Sequence, residues 1–241
     1  MEWCEENRLR LLEADLGGAR VAFSTRLGGA SEAPFDSLNL GLLTDDSASA
    51  VTENRARLAN ALGFAPEQIV FARQVHGAEL KTHAEPAIGG DPLPEADGQV
   101  LTAPGMAALV FVADCLPVAL HGPGGVAMLH CGWRGLAAGI VARGAAAVGA
   151  TDAAIGPGIG GCCYEVGDEV LGAFAGLGEG IAAGRMLDLP EVARRLLAEA
   201  GLERIQSAGL CTSCEPELFF SHRRDAGRTG RQAGIAWLEA A

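Results

Sequence analysis

The segment MAALVFVADCLPVALHGPGGVAMLHC (106–131) limits the possible folds of this chain more than any other stretch. Its first part, MAALVFVAD (106–114), reads as a buried strand. CLPVALH, the turn GPGG and VAMLHC then read as a β-hairpin, because a glycine- and proline-rich turn separates two apolar runs of strand length. With an even-numbered turn at 122–125, Cys115 lies opposite Gly132, and His130 lies opposite Pro117. Directly opposed residues share a face of a sheet, as do residues two apart on one strand. Cys115 and His130 are therefore expected on one face as diagonal neighbours, with α-carbons roughly 7–8 Å apart. Cys131 points the other way. A three-residue loop or a bulge would reverse this parity.

Elsewhere strand and helix patterns are interspersed. ARVAFSTR (19–26) and QIVFARQVH (68–76) read as strands. SAVTENRARLANALGF (49–64) reads as a helix, with Val51, Leu58 and Leu62 on its apolar side and Gly63 as its stop. GLAAGIVARGAAAVG (135–149) reads as a second helix despite its glycines. DLPEVARRLLAEAG (188–201) is a third, with Pro190 near its start and Gly201 at its end. No internal repeat, low-complexity segment or Ser/Pro-rich linker divides the chain, and 241 residues suit one large domain. Strands and helices without strict βαβ alternation predict an α/β (α+β) fold, a single mixed-sheet domain with flanking helices spanning 1–241.

Composition narrows the function classes. A formal net charge of −12 argues against nucleic acid as a partner, since phosphate backbones need a basic face. The longest apolar run, 106–120, is broken by Asp114 and is too short to span a bilayer, so no membrane partner is expected. The start, MEWCEENRLR, lacks the basic and apolar regions of a secretory signal. A cytoplasmic setting follows, in which the seven cysteines stay reduced and serve packing, metal binding or catalysis.

The hairpin pair needs a third ligand to make a metal site. His76, at the end of RQVH and just before a glycine, is the best candidate. His76, Cys115 and His130 would leave one position of a tetrahedral zinc open, the arrangement of a catalytic site. Asp114 and Asp97 are placed to orient the ligands. The alternative is a buried cysteine with two hydrogen-bonded histidines. CTSC (211–214) has no second CxxC, and the adjacent pair at 162–163 has the wrong spacing for one, so free thiols are expected. GPGIGG (156–161) reads as a rigid loop and not a dinucleotide site, because it lies past mid-chain, contains Pro157 and runs into CCYEVGDEV. Arg223, Arg224, Arg228 and Arg231 gather in FFSHRRDAGRTGRQ, a solvated turn or an anion site that Arg134 could join. His83 and His121 are expected at the surface or in turns.

Seven motifs in this order resemble one known family: FSTRLGGASEAPFDSLNLGL, ENRARLANALGF, RQVHG, EADGQVLTAPGMAALVFVADCLPV, LHCGWRGL, IGPGIGGCCYEVGDEV and CTSCEPELFFSHRRDAGRTGRQ. It is the laccase-domain family, whose members are variously called multicopper polyphenol oxidases, peptidoglycan editing factors and purine nucleoside phosphorylases. The resemblance runs from about residue 22 to the C-terminus. It implies a fold of the cytotoxic-necrotizing-factor-like, laccase-domain type. It also implies a metal site of His76, Cys115 and His130, the set that hairpin parity and open-site chemistry selected, with zinc the expected metal and copper possible.

Several activities are consistent with these residues. The first is a zinc-dependent purine nucleoside enzyme. The resemblance implies phosphorolysis of adenosine, inosine and methylthioadenosine, and deamination of adenosine. In that case the partners are a small nucleoside and phosphate, with Arg134 and Arg224 as candidate phosphate ligands and no obligate protein partner. The alternatives are a copper-dependent polyphenol oxidase, a metal-free cysteine hydrolase acting on peptidoglycan precursors, and a non-enzymatic metal-stabilised binding protein. In the hydrolase Cys115 would be the nucleophile and His130 its base.

Overall fold

A computed structural model describes residues 1–85 and 93–240. Two six-stranded sheets form its centre. The first runs in the order β1 (Glu2–Glu6), β2 (Leu9–Asp15), β3 (Ala19–Ser24), β14 (Gln232–Leu238), β7 (Ala107–Val112), β4 (Ile69–Val70). The second runs β13 (Arg204–Ser207), β10 (Asp152–Ile155), β8 (Leu116–Gly122), β9 (Gly125–Cys131), β6 (Gly98–Leu101), β5 (Leu80–His83). The pairs β4–β7, β5–β6 and β10–β13 are parallel and the others antiparallel, which makes both sheets mixed. A short hairpin, β11 (Ala182–Ala183) with β12 (Met186–Leu187), stands apart. The expected fold class holds. No helix among the described residues is long and apolar enough to cross a membrane.

Alternation along the strands builds three apolar layers. Val21, Phe23, Val110 and Val112 of the first sheet meet Ala119, Val126 and Met128 of the second, so the sheets pack face to face. The other face of the second sheet (Leu116, Val118, Leu129, Cys131) is covered by four helices: α2 (Trp133–Ala137), α3 (Ile140–Val148), α4 (Asp168–Ala173) and α5 (Leu189–Glu199). The outer face of the first sheet packs on α1 (Ala48–Ala61) through Leu58. Each fully buried leucine in these layers contributes roughly 1.5–3 kcal/mol.

The hairpin has the expected register. Pro117 pairs with His130 and Leu116 with Cys131, closing on Gly122 and Gly125 around a two-residue turn. Two other expectations are corrected. Residues 68–76 form a strand only at Ile69–Val70, because the chain then leaves the sheet to wrap around Asp97. The helix expected over 135–149 is two helices, α2 and α3, divided at Gly139, whose φ of +83° lies in the left-handed region that stops a helix. The helices at 49–64 and 188–201 form as α1 and α5. The side chain of Asp188 caps α5 by accepting from the Glu191 N–H at 3.0 Å.

Candidate metal centre

Asp97 is the hub of the site. It is fully buried just ahead of β6, and its carboxylate gathers four donors. The backbone N–H groups of Val75, His76 and Gly77 donate to it at 3.1, 2.9 and 2.7 Å. His130 Nδ1 lies 2.8 Å from Oδ1. Burial alone would raise the pKa of this carboxyl, but the hydrogen bonds from His130 and Gly77 outweigh it and hold the group below the usual range. Wrapping three successive amides around one carboxylate forces His76 to a φ of +59°. A non-glycine residue pays roughly 1–2 kcal/mol for such backbone, and here the three N–H bonds offset it.

Hairpin parity places the other two candidate ligands. His130 is buried next to the end of β9, and its backbone N–H donates to the Asp97 carbonyl at 2.7 Å. Cys115 precedes β8 on the same face and is half-buried. The potential ligand atoms of His76, Cys115 and His130 all lie within 4.8 Å of one another, and the two imidazole rings meet edge to face with centroids 4.8 Å apart. Asp97 occupies Nδ1 of His130 and leaves Nε2 as its donor. Cys131 is buried in the opposite layer, where desolvation pushes its thiol well above the ordinary value.

The electrostatics favour a thiolate–imidazolium pair, whose proton a metal ion would displace on binding. Burial opposes ionisation of Cys115, yet His130 and His76 bring its thiol down to about 6. Burial likewise opposes protonation of His130, yet Cys115 and Asp97 raise its pKa to about 9. A thiolate beside an imidazole that is oriented by a carboxylate is the donor set of an open zinc site. Close packing keeps that space free: a Cβ on Gly132 would stand 2.9 Å from Cys115 Sγ and 3.3 Å from His76 Cδ2.

Asp114 works through the loop beside the site. Its φ is +88°, and its carboxylate accepts from Thr212 Oγ1 and the Arg223 N–H, both at 2.7 Å. It thereby ties the loop after β13 to the residue next to Cys115. Arg223 lies over Tyr164 at 5.1 Å, and the exposed Arg134 lies over the half-buried Trp133 at 4.4 Å. The Arg224 guanidinium is already engaged. It donates to both Asp225 oxygens at 2.8 Å and to the carbonyls of Thr212 and Phe219 at 2.9 and 3.0 Å.

Near the site, Tyr164 and the meeting of the four cysteines are not singled out by the sequence, whereas Arg231 belongs to its arginine cluster. Tyr164 faces it, with a phenol that burial pushes up to about 12 against the pull of Arg223 and Arg134. Arg231 is drawn down by burial, although the charges of Cys115 and Asp114 oppose the shift. Cys162 and Cys163 stand beside Cys211 and Cys214, a meeting of two loops that no spacing rule announces. His83 is buried and bonds Gln99, while the half-buried His121 beside the hairpin turn bonds the Leu16 carbonyl, each at 2.9 Å. GPGIGG follows β10 without a helix starting in it, as a rigid loop requires. A groove of about 580 Å³ lined by Leu16, His121 and Thr151 lies at the other end of the β8–β9 hairpin and holds none of the three ligands.

Comparison with known proteins identifies the family. The family profile described as multi-copper polyphenol oxidoreductase laccase matches residues 20–239. The purine nucleoside phosphorylase YfiH of Escherichia coli is 39% identical over 235 residues, covering 92% of this chain and 94% of its own. A purine nucleoside phosphorylase of Deinococcus radiodurans is 40% identical over 244 residues, covering 95% and 93%. The crystal structure of the hypothetical protein YfiH of Bacillus licheniformis superposes with a TM-score of 0.88 at 34% identity, covering 97% of both chains. By profile, sequence identity and fold alike, the chain belongs to the multi-copper polyphenol oxidoreductase laccase family.

Proposed function

We propose that this protein is a zinc-dependent purine nucleoside phosphorylase acting at the His76–Cys115–His130 centre. Its substrates are adenosine, inosine and methylthioadenosine, and adenosine deamination is a second activity of the same centre. The observation that carries the reading is the convergence of two imidazoles and one thiol within 4.8 Å, in a chain whose relatives are named purine nucleoside phosphorylases. Zinc held by these three donors would supply a Lewis acid.

The chain's own residues do the rest. Asp97 fixes the His130 ring and shapes the turn that presents His76, while Cys115 stands ready as thiolate. His76 is exposed and leaves the centre open to a small nucleoside. Arg134, exposed and held against Trp133, is the phosphate ligand in this reading. Arg224 holds the loop that carries Arg223, since Asp225 and two carbonyls already take its guanidinium. In phosphorolysis a phosphate oxygen bonds to C1′ of the ribose as the C1′–N9 bond breaks, and the departing purine keeps the electron pair and takes up a proton. In deamination water adds at C6 of adenosine and ammonia leaves. A cytoplasmic, reducing setting keeps Cys115 available as thiolate.

A copper-dependent phenol oxidase is the second reading, favoured by the family's description and by a nitrogen and sulfur donor set that suits copper too. The histidines weigh against it. Of the five, His83 and His121 are committed to Gln99 and Leu16 and His222 joins no candidate metal group, so only His76 and His130 share a centre among the described residues.

The test is to incubate the purified protein with adenosine, inosine and methylthioadenosine, each with and without phosphate, and to separate the products. Free base and sugar 1-phosphate that form only with phosphate, together with inosine from adenosine, are expected. No base release and no inosine under any condition would overturn the reading.

A further inference from the structure

Four cysteines that the proposed reaction does not use converge on one point. Cys162 and Cys163 lie in the loop between β10 and α4, and Cys211 and Cys214 lie in the turn after β13. Their sulfurs all lie within 4.8 Å of one another. Cys214 Sγ is 3.4 Å from Cys162 Sγ and 3.4 Å from Cys163 Sγ, and all four thiols are free. We propose that these four residues bind a structural zinc ion as a tetrathiolate, distinct from the His76–Cys115–His130 centre.

Three observations favour a metal over the alternatives. A disulfide joins two sulfurs at about 2.05 Å, whereas Cys214 is equidistant from two partners, so the set converges on a centre and does not divide into pairs. Zinc–sulfur bonds of about 2.3 Å in a tetrahedron separate the sulfurs by about 3.8 Å, a value between the two 3.4 Å contacts and the 4.8 Å limit of the cluster. Multi-iron clusters hold their cysteine sulfurs farther apart than this. The surrounding backbone is also built for ligation. The Gly160 N–H donates to Cys211 Sγ at 3.3 Å, and the N–H groups of Cys214 and Cys163 close tight turns on Cys211 and Gly160 at 3.1 and 3.0 Å. Exposed Cys162 and Cys214 give the ion a path from solvent.

Four protein ligands leave no open position, so the ion's role is to hold structure. It joins the 156–166 loop to the 208–231 loop, where Gly158 bridges Cys211 and the Thr212 N–H reaches the Gly158 carbonyl at 3.0 Å. Thr212 and Arg223 of the second loop hold Asp114 beside Cys115, while Tyr164 follows the cysteine pair in the first. The ion therefore braces one wall of the candidate active centre.

The full-length Cys115→Ala protein, which removes a ligand of the other centre, isolates the second site. Zinc and iron are measured by elemental analysis after purification under reducing conditions, and the accessible thiols are mapped by alkylation. The expected result is about one zinc per chain, protection of Cys162, Cys163, Cys211 and Cys214, and loss of that zinc on adding Cys214→Ser. Cobalt loading of the Cys115→Ala protein needs no further variant and should give the intense thiolate-to-cobalt absorption of a tetrahedral all-sulfur site. Metal-free protein with four alkylatable thiols, a disulfide-bonded pair, or iron in place of zinc would each overturn the proposal. None of these outcomes depends on whether the protein cleaves nucleosides.

Discussion

Asp97 Oδ1 lies 2.8 Å from Nδ1 of His130 and also takes the backbone N–H of His76 at 2.9 Å. A single carboxylate thus orients the ring of one candidate ligand and the turn that carries another. Asp97→Asn keeps the shape but removes the charge, and it places an amide N–H₂ among four donors. Its metal affinity should fall by about 10–100-fold, and its stability by about 1–3 kcal/mol for the unsatisfied buried groups. Titration against a competing chelator, beside a thermal melt, checks both. An unchanged affinity would separate Asp97 from the metal.

Gly132→Ala tests the space between the ligands. The φ of −78° suits alanine, so the backbone is not strained. The added Cβ would stand 2.9 Å from Cys115 Sγ, nearer than a real contact allows. Metal affinity should drop about tenfold or more as the thiol is displaced, while overpacking costs about 1–3 kcal/mol. Metal content and melting temperature, measured together, distinguish a displaced ligand from general unfolding.

The start of α5 gives a pH signature remote from the centre. Glu191 accepts from Arg194 at 2.6 and 2.7 Å and from Arg195 at 2.7 Å, and these bonds, Arg194 foremost, bring its pKa from 4.5 down to about 2. A depressed carboxyl stabilises the fold above its unfolded pKa and loses that contribution as pH falls through its folded one. Solvent screens these partly exposed groups, so the contribution is at most about 1 kcal/mol, or about 2–4 °C in Tm for a chain of this size. Glu191→Gln should melt lower than the parent at pH 7, with the gap closing between pH 4.5 and about 2. Melts that differ equally at every pH would refute the assignment.

How much of this was legible in the sequence depends on how local each contact is. The β8–β9 register could be read directly, because a two-residue turn between apolar runs fixes which side chains share a face. Cys115 and His130 came together on that basis, and Cys131 was turned away. The set was completed by the QVH motif, but the left-handed conformation of His76 was not readable, since it exists only because Asp97, 21 positions away, collects three amides. The break at Gly139 was hidden in a run that otherwise favours helix. The four-cysteine cluster was the least visible feature, because Cys162 and Cys214 are 52 positions apart and meet only when the loops that follow β10 and β13 come together. The engagement of the Arg224 guanidinium was hidden for the same reason, as it depends on where the carbonyls of Thr212 and Phe219 point.

The most direct test of the His76–Cys115–His130 assignment is the rate of sugar 1-phosphate formation from adenosine and phosphate before and after the protein is stripped of metal and then resupplied with zinc. Activity that disappears on stripping, returns with zinc, and stays absent in Cys115→Ala under both conditions is the predicted result. Undiminished activity in fully metal-free protein would contradict it and assign the chemistry to the Cys115 thiolate with His130 as its base.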